Sequence, residues 1–144
     1  MGKTNFDERQ LRIRGDIFKH GFILIIGLIL IHAFLLSNDI IWAEASWASI
    51  LLMFFAVTVC SVEMIIRDVY TGIGKRTDIM LYLMGALSLV LIVLLIIHII
   101  RGEFVFWNGI LVEDGVNTVF AIFISTIFLA FLFKKRLDKR NDGE

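Results

Sequence analysis

The chain has no proline and only one cysteine. Without proline, no helix in it is kinked by that route. With Cys60 alone, no intramolecular disulfide can form. Charge is also sparse, at 19% of residues. The polar stretches are too short to build a separate soluble domain. Catalytic signatures are missing as well. Gly72-Ile73-Gly74-Lys75-Arg76-Thr77 superficially resembles a phosphate-binding loop, but G-x-x-x-x-G-K-[ST] requires glycine where Val69 stands and serine or threonine where Arg76 stands. The two glycines are better read as ending one helix and opening a turn, with Thr77 capping the next helix. There is no dinucleotide or kinase motif. The two halves show no repeat that would suggest an inverted-repeat transporter. Neither a cofactor nor a nucleic-acid partner is expected.

What the chain does have is four long apolar runs: Ile17–Leu36, Ala45–Ile66, Ile79–Ile100 and Val116–Phe133. Each is close to the roughly 20 residues that cross the hydrocarbon core of a bilayer. They are apolar nearly all round, whereas the helices of a soluble domain would present polar faces. The expected fold is an all-α integral membrane protein, a single domain over residues 1–144. It comprises a four-transmembrane-helix bundle, a short N-terminal juxtamembrane helix and a β-hairpin or tight turn in the second outer loop. The short helix is expected over residues 4–16, capped by Asn5 with Glu8 as capping-box partner. The hairpin is expected because Asn108-Gly109 separates Phe104-Val105-Phe106-Trp107 from Ile110-Leu111-Val112, and a type I′ turn needs positive φ at both central positions. Such a hairpin is marginal alone, so it must rest on the bundle or on lipid, and it could cap a cavity.

Charge sorts by loop. Thirteen of the fourteen Lys and Arg residues lie in the N-terminal segment, the loop between the second and third runs, and the C-terminal tail; the two other loops share only Arg101. By the positive-inside rule both termini face the cytoplasm. The formal net charge of zero conceals this asymmetry. Trp42, Trp47 and Trp107 all fall on the opposite side and read as half of an aromatic belt. Ala43-Glu44-Ala45 resembles a signal-peptide cleavage site. However, the run before it is long for a signal sequence and its leader is mixed in charge, so a retained anchor is expected.

Glu63 is the one acidic residue inside a run, with Arg67 at i+4. Ionisable groups in spans are costly and point into the bundle or a water-filled cavity. Ser49, Ala56, Cys60, Glu63 and Arg67 recur along one helical face. Glu63 would pair with Arg67, or with Lys19 or His20 on the first span, locking the bundle. It would otherwise serve as a protonatable carboxylate in a transport or ligand site, or contact a partner. His32 and His98, with Asp39, Glu44 or Glu103, are weak candidates for a divalent metal, because their spacing is not local and two helices would have to converge. Ser46, Ser49, Ser61, Ser88 and Ser125 read as helix-packing serines. Ala121 and Ser125 give a small-xxx-small spacing suited to a neighbouring helix. Phe120, Phe123, Phe128, Phe131 and Phe133 read as lipid-facing bulk.

Two stretches carry a resemblance. Asp7-Glu8-Arg9-Gln10 leads into Ile13-Arg14-Gly15 and Phe18-Lys19-His20-Gly21-Phe22; the second stretch is Glu63-Met64-Ile65-Ile66-Arg67-Asp68-Val69-Tyr70. Together they resemble a family of uncharacterised small four-span membrane proteins of Gram-positive bacteria with an N-terminal DERQ motif. The resemblance implies a bacterial plasma-membrane location and no particular activity. It also draws attention to Asp7, Glu8, Arg9, Glu63, Arg67, Asp68 and Tyr70, which antiparallel topology would bring to one membrane face as a polar cluster.

The functional expectation is a non-enzymatic accessory or regulatory subunit, acting through protein–protein contacts on its cytoplasmic face. Its partners would be the lipid bilayer and another membrane protein or further copies of itself. The alternative is a small homo-oligomeric transporter or ion pathway using Glu63. A third reading is an intramembrane enzyme with a metal at His32 and His98.

Overall fold

The structure is a computed structural model that describes residues 7–70, 76–101, 106–107, 109–111 and 113–141. Four helices account for most of them: α1 (Glu8–Ser37), α2 (Ala45–Ile66), α3 (Arg76–Ile100) and α4 (Glu113–Asn141). All four are long and apolar enough to cross a membrane. Their outward faces carry exposed leucine, isoleucine, valine and phenylalanine, as in Phe22, Leu30, Leu83 and Leu129. The architecture is an all-α bundle.

α1 does not break into a short helix and a span. Its 30 residues form one helix, about 45 Å long at 1.5 Å per residue. Asp7 is the cap residue: its N–H donates to Gln10 Oε1 at 3.3 Å, one arm of a capping box. Asn5, the expected cap, lies outside the described residues. Continuity has a simple cause, since Arg9, Gln10, Leu11 and Arg12 all favour helix and no proline or helix-ending turn separates them from the apolar run. At the other end of the chain α4 likewise runs past its apolar stretch to Asn141. α3 begins at Arg76, so Thr77 lies inside its first turn rather than capping it. Gly72 and Gly74 lie outside the described residues.

The helices pack in the order α1–α2–α4–α3. Thus α2 and α4 are central, while α1 and α3 each lean extensively on one neighbour among the described residues. The α3–α4 seam has a regular antiparallel register. Tyr82 meets Phe131 edge-on, with ring centroids 5.9 Å apart. One turn along, Gly85 lies against the Phe128 ring. One turn further, the Ser88 and Ser125 hydroxyls are hydrogen-bonded at 2.9 Å, and Ser125 also donates to the Ala121 carbonyl. Hydroxyl pairs of this kind satisfy polar atoms that lipid cannot. On the α2–α4 seam, Phe54 stacks edge-on against Phe120. The α4 phenylalanines are therefore largely seam residues, and of the five only Phe133 is mostly exposed. Apolar bulk in a helix that is apolar all round carries no mark of which face meets protein.

Both α1 and α2 end in Schellman turns. After α1, Ile40 N–H reaches the Leu35 carbonyl and Asp39 N–H the Leu36 carbonyl; after α2, Val69 N–H reaches Met64 and Asp68 N–H reaches Ile65. The left-handed position in each turn is filled by aspartate, Asp39 at φ 57° and Asp68 at φ 56°. Glycine is the usual residue there because it has no Cβ to clash. Asp39→Gly is therefore expected to raise stability by about 0.5–1 kcal/mol, read as a later midpoint in a sodium dodecyl sulfate titration. Asp68→Gly should not give this gain, because Asp68 holds an ion pair described below.

At the end of the bundle remote from both chain termini, here called the hairpin end, β1 (Phe106–Trp107) and β2 (Ile110–Leu111) pair antiparallel with Gly109 at φ 81° between them. Phe104, Val105, Asn108 and Val112 lie outside the described residues. Leu111 N–H also donates to the Trp42 carbonyl at 3.0 Å, and its side chain is buried among Ala43, Ala48, Leu51 and Val116. Trp42 and Trp47 pack on this cluster. The loop between α1 and α2 is thereby joined to the strands before α4.

Candidate functional site

The polar residues concentrate at the opposite end, here called the basic end, in two groups. In the first, Glu63 is held by α2 one turn before the helix ends. Its Oε1 accepts from Arg67 Nη2 at 2.7 Å and stands 3.4 Å from His20 Nδ1 on α1. The Glu63 side chain is 23% exposed. The i, i+4 spacing put Arg67 within reach from the sequence alone. The antiparallel α1–α2 seam supplies His20: one helical position further along, Gly21 lies against Cys60, whose thiol points to the Ile17 carbonyl. Of the partners considered for Glu63, the structure brings Arg67 and His20 to it.

The second group is built around the α2 turn. Asp68, forced outward by its left-handed backbone, meets Lys134 of α4 through Oδ2 at 2.7 Å. Lys134 also pairs with Asp138 at 2.7 Å, one turn along its own helix. A carboxylate at the C-terminus of a helix opposes the helix dipole, and Lys134 offsets that. From the other side, the Gln10 side chain donates to the Asp68 carbonyl at 3.4 Å. One amide thus caps α1 with its oxygen and ties α1 to the α2 turn with its nitrogen. Below this layer Ile17, Met64 and Val69 form a buried cluster, with Ile13 and Tyr70 against it. On another face of α4, Lys135 donates to the Tyr82 hydroxyl at 2.7 Å.

The seven residues marked by the sequence therefore separate. Glu63 and Arg67 form one pair, and Asp68 and Tyr70 sit in the adjoining turn. Asp7 caps α1, and Glu8 and Arg9 are exposed on its first turn. The contact between the N-terminal motif and the α2 turn is made by Gln10 rather than by its charged neighbours. Gln10 belongs to the motif the sequence marked; sequence reasoning missed Lys134, Asp138 and Tyr82 as contributors at this end. Only the Lys134–Asp138 spacing gave a local signal, since the other contacts join positions far apart in the chain.

His32 and His98 do not converge. They lie on α1 and α3, the two helices at the ends of the packing order. His32 Nδ1 accepts from Trp42 Nε1 at 3.1 Å, with the rings edge-on. No group of three or more His, Cys, Asp or Glu residues with metal-binding geometry occurs among the described residues. His32, only a weak metal candidate from the sequence, is hydrogen-bonded within the bundle and anchors Trp42, which is packed against protein.

Beside Glu63, a groove of about 640 Å³ runs between α2 and α4, with Thr58, Glu63, Arg67 and Thr126 among its polar lining and Phe55 and Phe123 beneath. No protein-family model, curated protein or solved structure matches the chain.

Proposed function

We propose that this is a multi-pass membrane protein of the bacterial plasma membrane, with both termini cytoplasmic. In this reading it works without catalysis, as an accessory or regulatory subunit that binds another membrane protein through its basic end. The orientation is supported by the sequence, in which thirteen of the fourteen Lys and Arg residues lie in the N-terminal segment, the loop between the second and third apolar runs and the C-terminal tail. The observation that carries the function is the ionic network at the basic end. Gln10, Asp68, Lys134 and Asp138 tie α1, the α2 turn and α4 into one polar platform. A platform whose side chains are already held in place binds a partner at lower entropic cost than a mobile one. The test is gentle extraction of the tagged protein from its native membrane, followed by native mass spectrometry. A stoichiometric protein partner is expected, and its recovery should fall in Lys134→Gln, which removes both of that lysine's bridges. A lone homo-oligomer would overturn the reading.

One observation favours a second reading. Glu63 lines the α2–α4 groove, and a second copy closing that groove would give a homo-oligomeric transporter or ion pathway. Under this reading Glu63→Gln abolishes proton flux into liposomes while the protein stays folded. Under the accessory reading Glu63 is structural. Glu63→Gln and Arg67→Gln then each cost about 0.5–1 kcal/mol, and the double variant costs less than their sum.

A further inference from the structure

α4 continues beyond its apolar stretch, and around this continuation its faces are used differently. Lys134 and Asp138 face the α2 turn, and Lys135 reaches Tyr82 of α3. Roughly half a turn round from Lys134, at 3.6 residues per turn, lies a stripe left largely open among the described residues. It runs through Leu129, Leu132 and Phe133, then Arg136 and Lys139, at spacings of three and four. These residues line, with Lys135 on the rim, a surface hollow of about 670 Å³. Among the described residues Arg136 and Lys139 make no side-chain polar contact, and Leu129 and Phe133 are mostly exposed. Within one helical turn the stripe changes from wholly apolar to doubly cationic. That is the profile of a glycerophospholipid, with chains against the apolar half and the phosphate at the boundary.

We infer that this stripe is a binding site for one anionic phospholipid of the leaflet at the basic end. The phosphate is held by Arg136 and Lys139, and an acyl chain lies along Leu129, Leu132 and Phe133. Charge complementarity selects the headgroup: two cations, with no carboxylate between them on that face among the described residues, favour a net negative lipid over a zwitterionic one. Lys135 is already committed to Tyr82, so it frames the site rather than supplying its principal charge. Because both cations are exposed, binding must weaken with ionic strength. The inference is independent of the partner reading above and needs only that α4 crosses a bilayer.

The test is native mass spectrometry of the full chain in micelles, titrated with dioleoyl phosphatidylglycerol or dioleoyl phosphatidylcholine. A saturable single adduct is expected with the glycerol lipid and not with the choline lipid. Arg136→Gln with Lys139→Gln should weaken it roughly thirty-fold, from about 1 kcal/mol per basic residue near an anionic surface, with about 1.4 kcal/mol to each factor of ten. The charge-preserving exchange Arg136→Lys with Lys139→Arg should retain it. Arg9→Gln with Arg12→Gln, which removes two exposed cations on α1, should leave it unchanged. Equal loss from the α1 pair would mean a diffuse basic collar, and equal binding of the choline lipid would mean acyl contact alone. Either result overturns the site.

Discussion

Leu111→Ala is expected to destabilise the protein by about 2–4 kcal/mol, the range for emptying a well-packed leucine site. Leu111 is 4% exposed and sits among Ala43, Ala48, Leu51 and Val116. These residues come from the α1–α2 loop, α2 and the start of α4, so one side chain fills a junction of three elements. Alanine leaves a cavity that small neighbours such as Ala43 and Ala48 cannot close. The backbone link from Leu111 N–H to Trp42 survives the substitution, so the effect should be loosening rather than loss of topology. A sodium dodecyl sulfate titration followed by tryptophan fluorescence reads the shift. Hydrogen exchange should rise at residues 106–111 and stay unchanged at Asp68 and Lys134. A loss below about 1 kcal/mol would mean that lipid or solvent fills the site as well as leucine does.

The second large effect concerns the α1–α2 seam. A Cβ at Gly21 would overlap the Cys60 sulfur, which is itself directed at the Ile17 carbonyl. Cysteine in a helix has few alternative rotamers, because χ1 near +60° clashes with the preceding turn. Gly21→Leu should therefore force the helices apart and cost about 3 kcal/mol, at the upper end for overpacking. Among the described residues α1 has one extensive neighbour, so only single contacts such as His32 with Trp42 and Gln10 with Asp68 restrain it once that seam opens. Gly21→Ala should cost about 1–2 kcal/mol, the overlap being partly offset by alanine's better helix propensity. Adding Cys60→Ala should restore most of it, since the new methyl then occupies the space of the lost sulfur. An additive double variant would place the strain elsewhere than in this contact.

These two sites illustrate what could be read from the sequence. The existence of four spans was plain because apolar length is a one-dimensional property: α2 runs from Ala45 to Ile66, the same residues as its apolar run. The ends of α1 and α4 were less plain. Hydropathy stops at the first charges, whereas helix continues through residues such as Lys134, Lys135, Arg136 and Leu137 that favour it. Helix order was not legible, because runs that are apolar all round mark no face. The seams are fixed instead by small or polar contacts such as Gly21 with Cys60 and Ser88 with Ser125. Within the candidate site, Glu63 with Arg67 was legible from its local spacing, and His20 from antiparallel topology. The Asp68–Lys134 pair was not, because it depends on α2 and α4 being neighbours.

The packing order also bears on how the chain is built. Synthesis releases α3 before α4, yet α4 is the helix on which α3 leans. During that interval α3 must persist in lipid with the Ser88 hydroxyl lacking its partner on α4. A helix in that position has to be stable by its own transfer into the bilayer, the first stage of two-stage assembly. The apolar stretch of α3, Tyr82–Ile100, has the highest hydropathy of the four, as a helix that must wait for its neighbour requires.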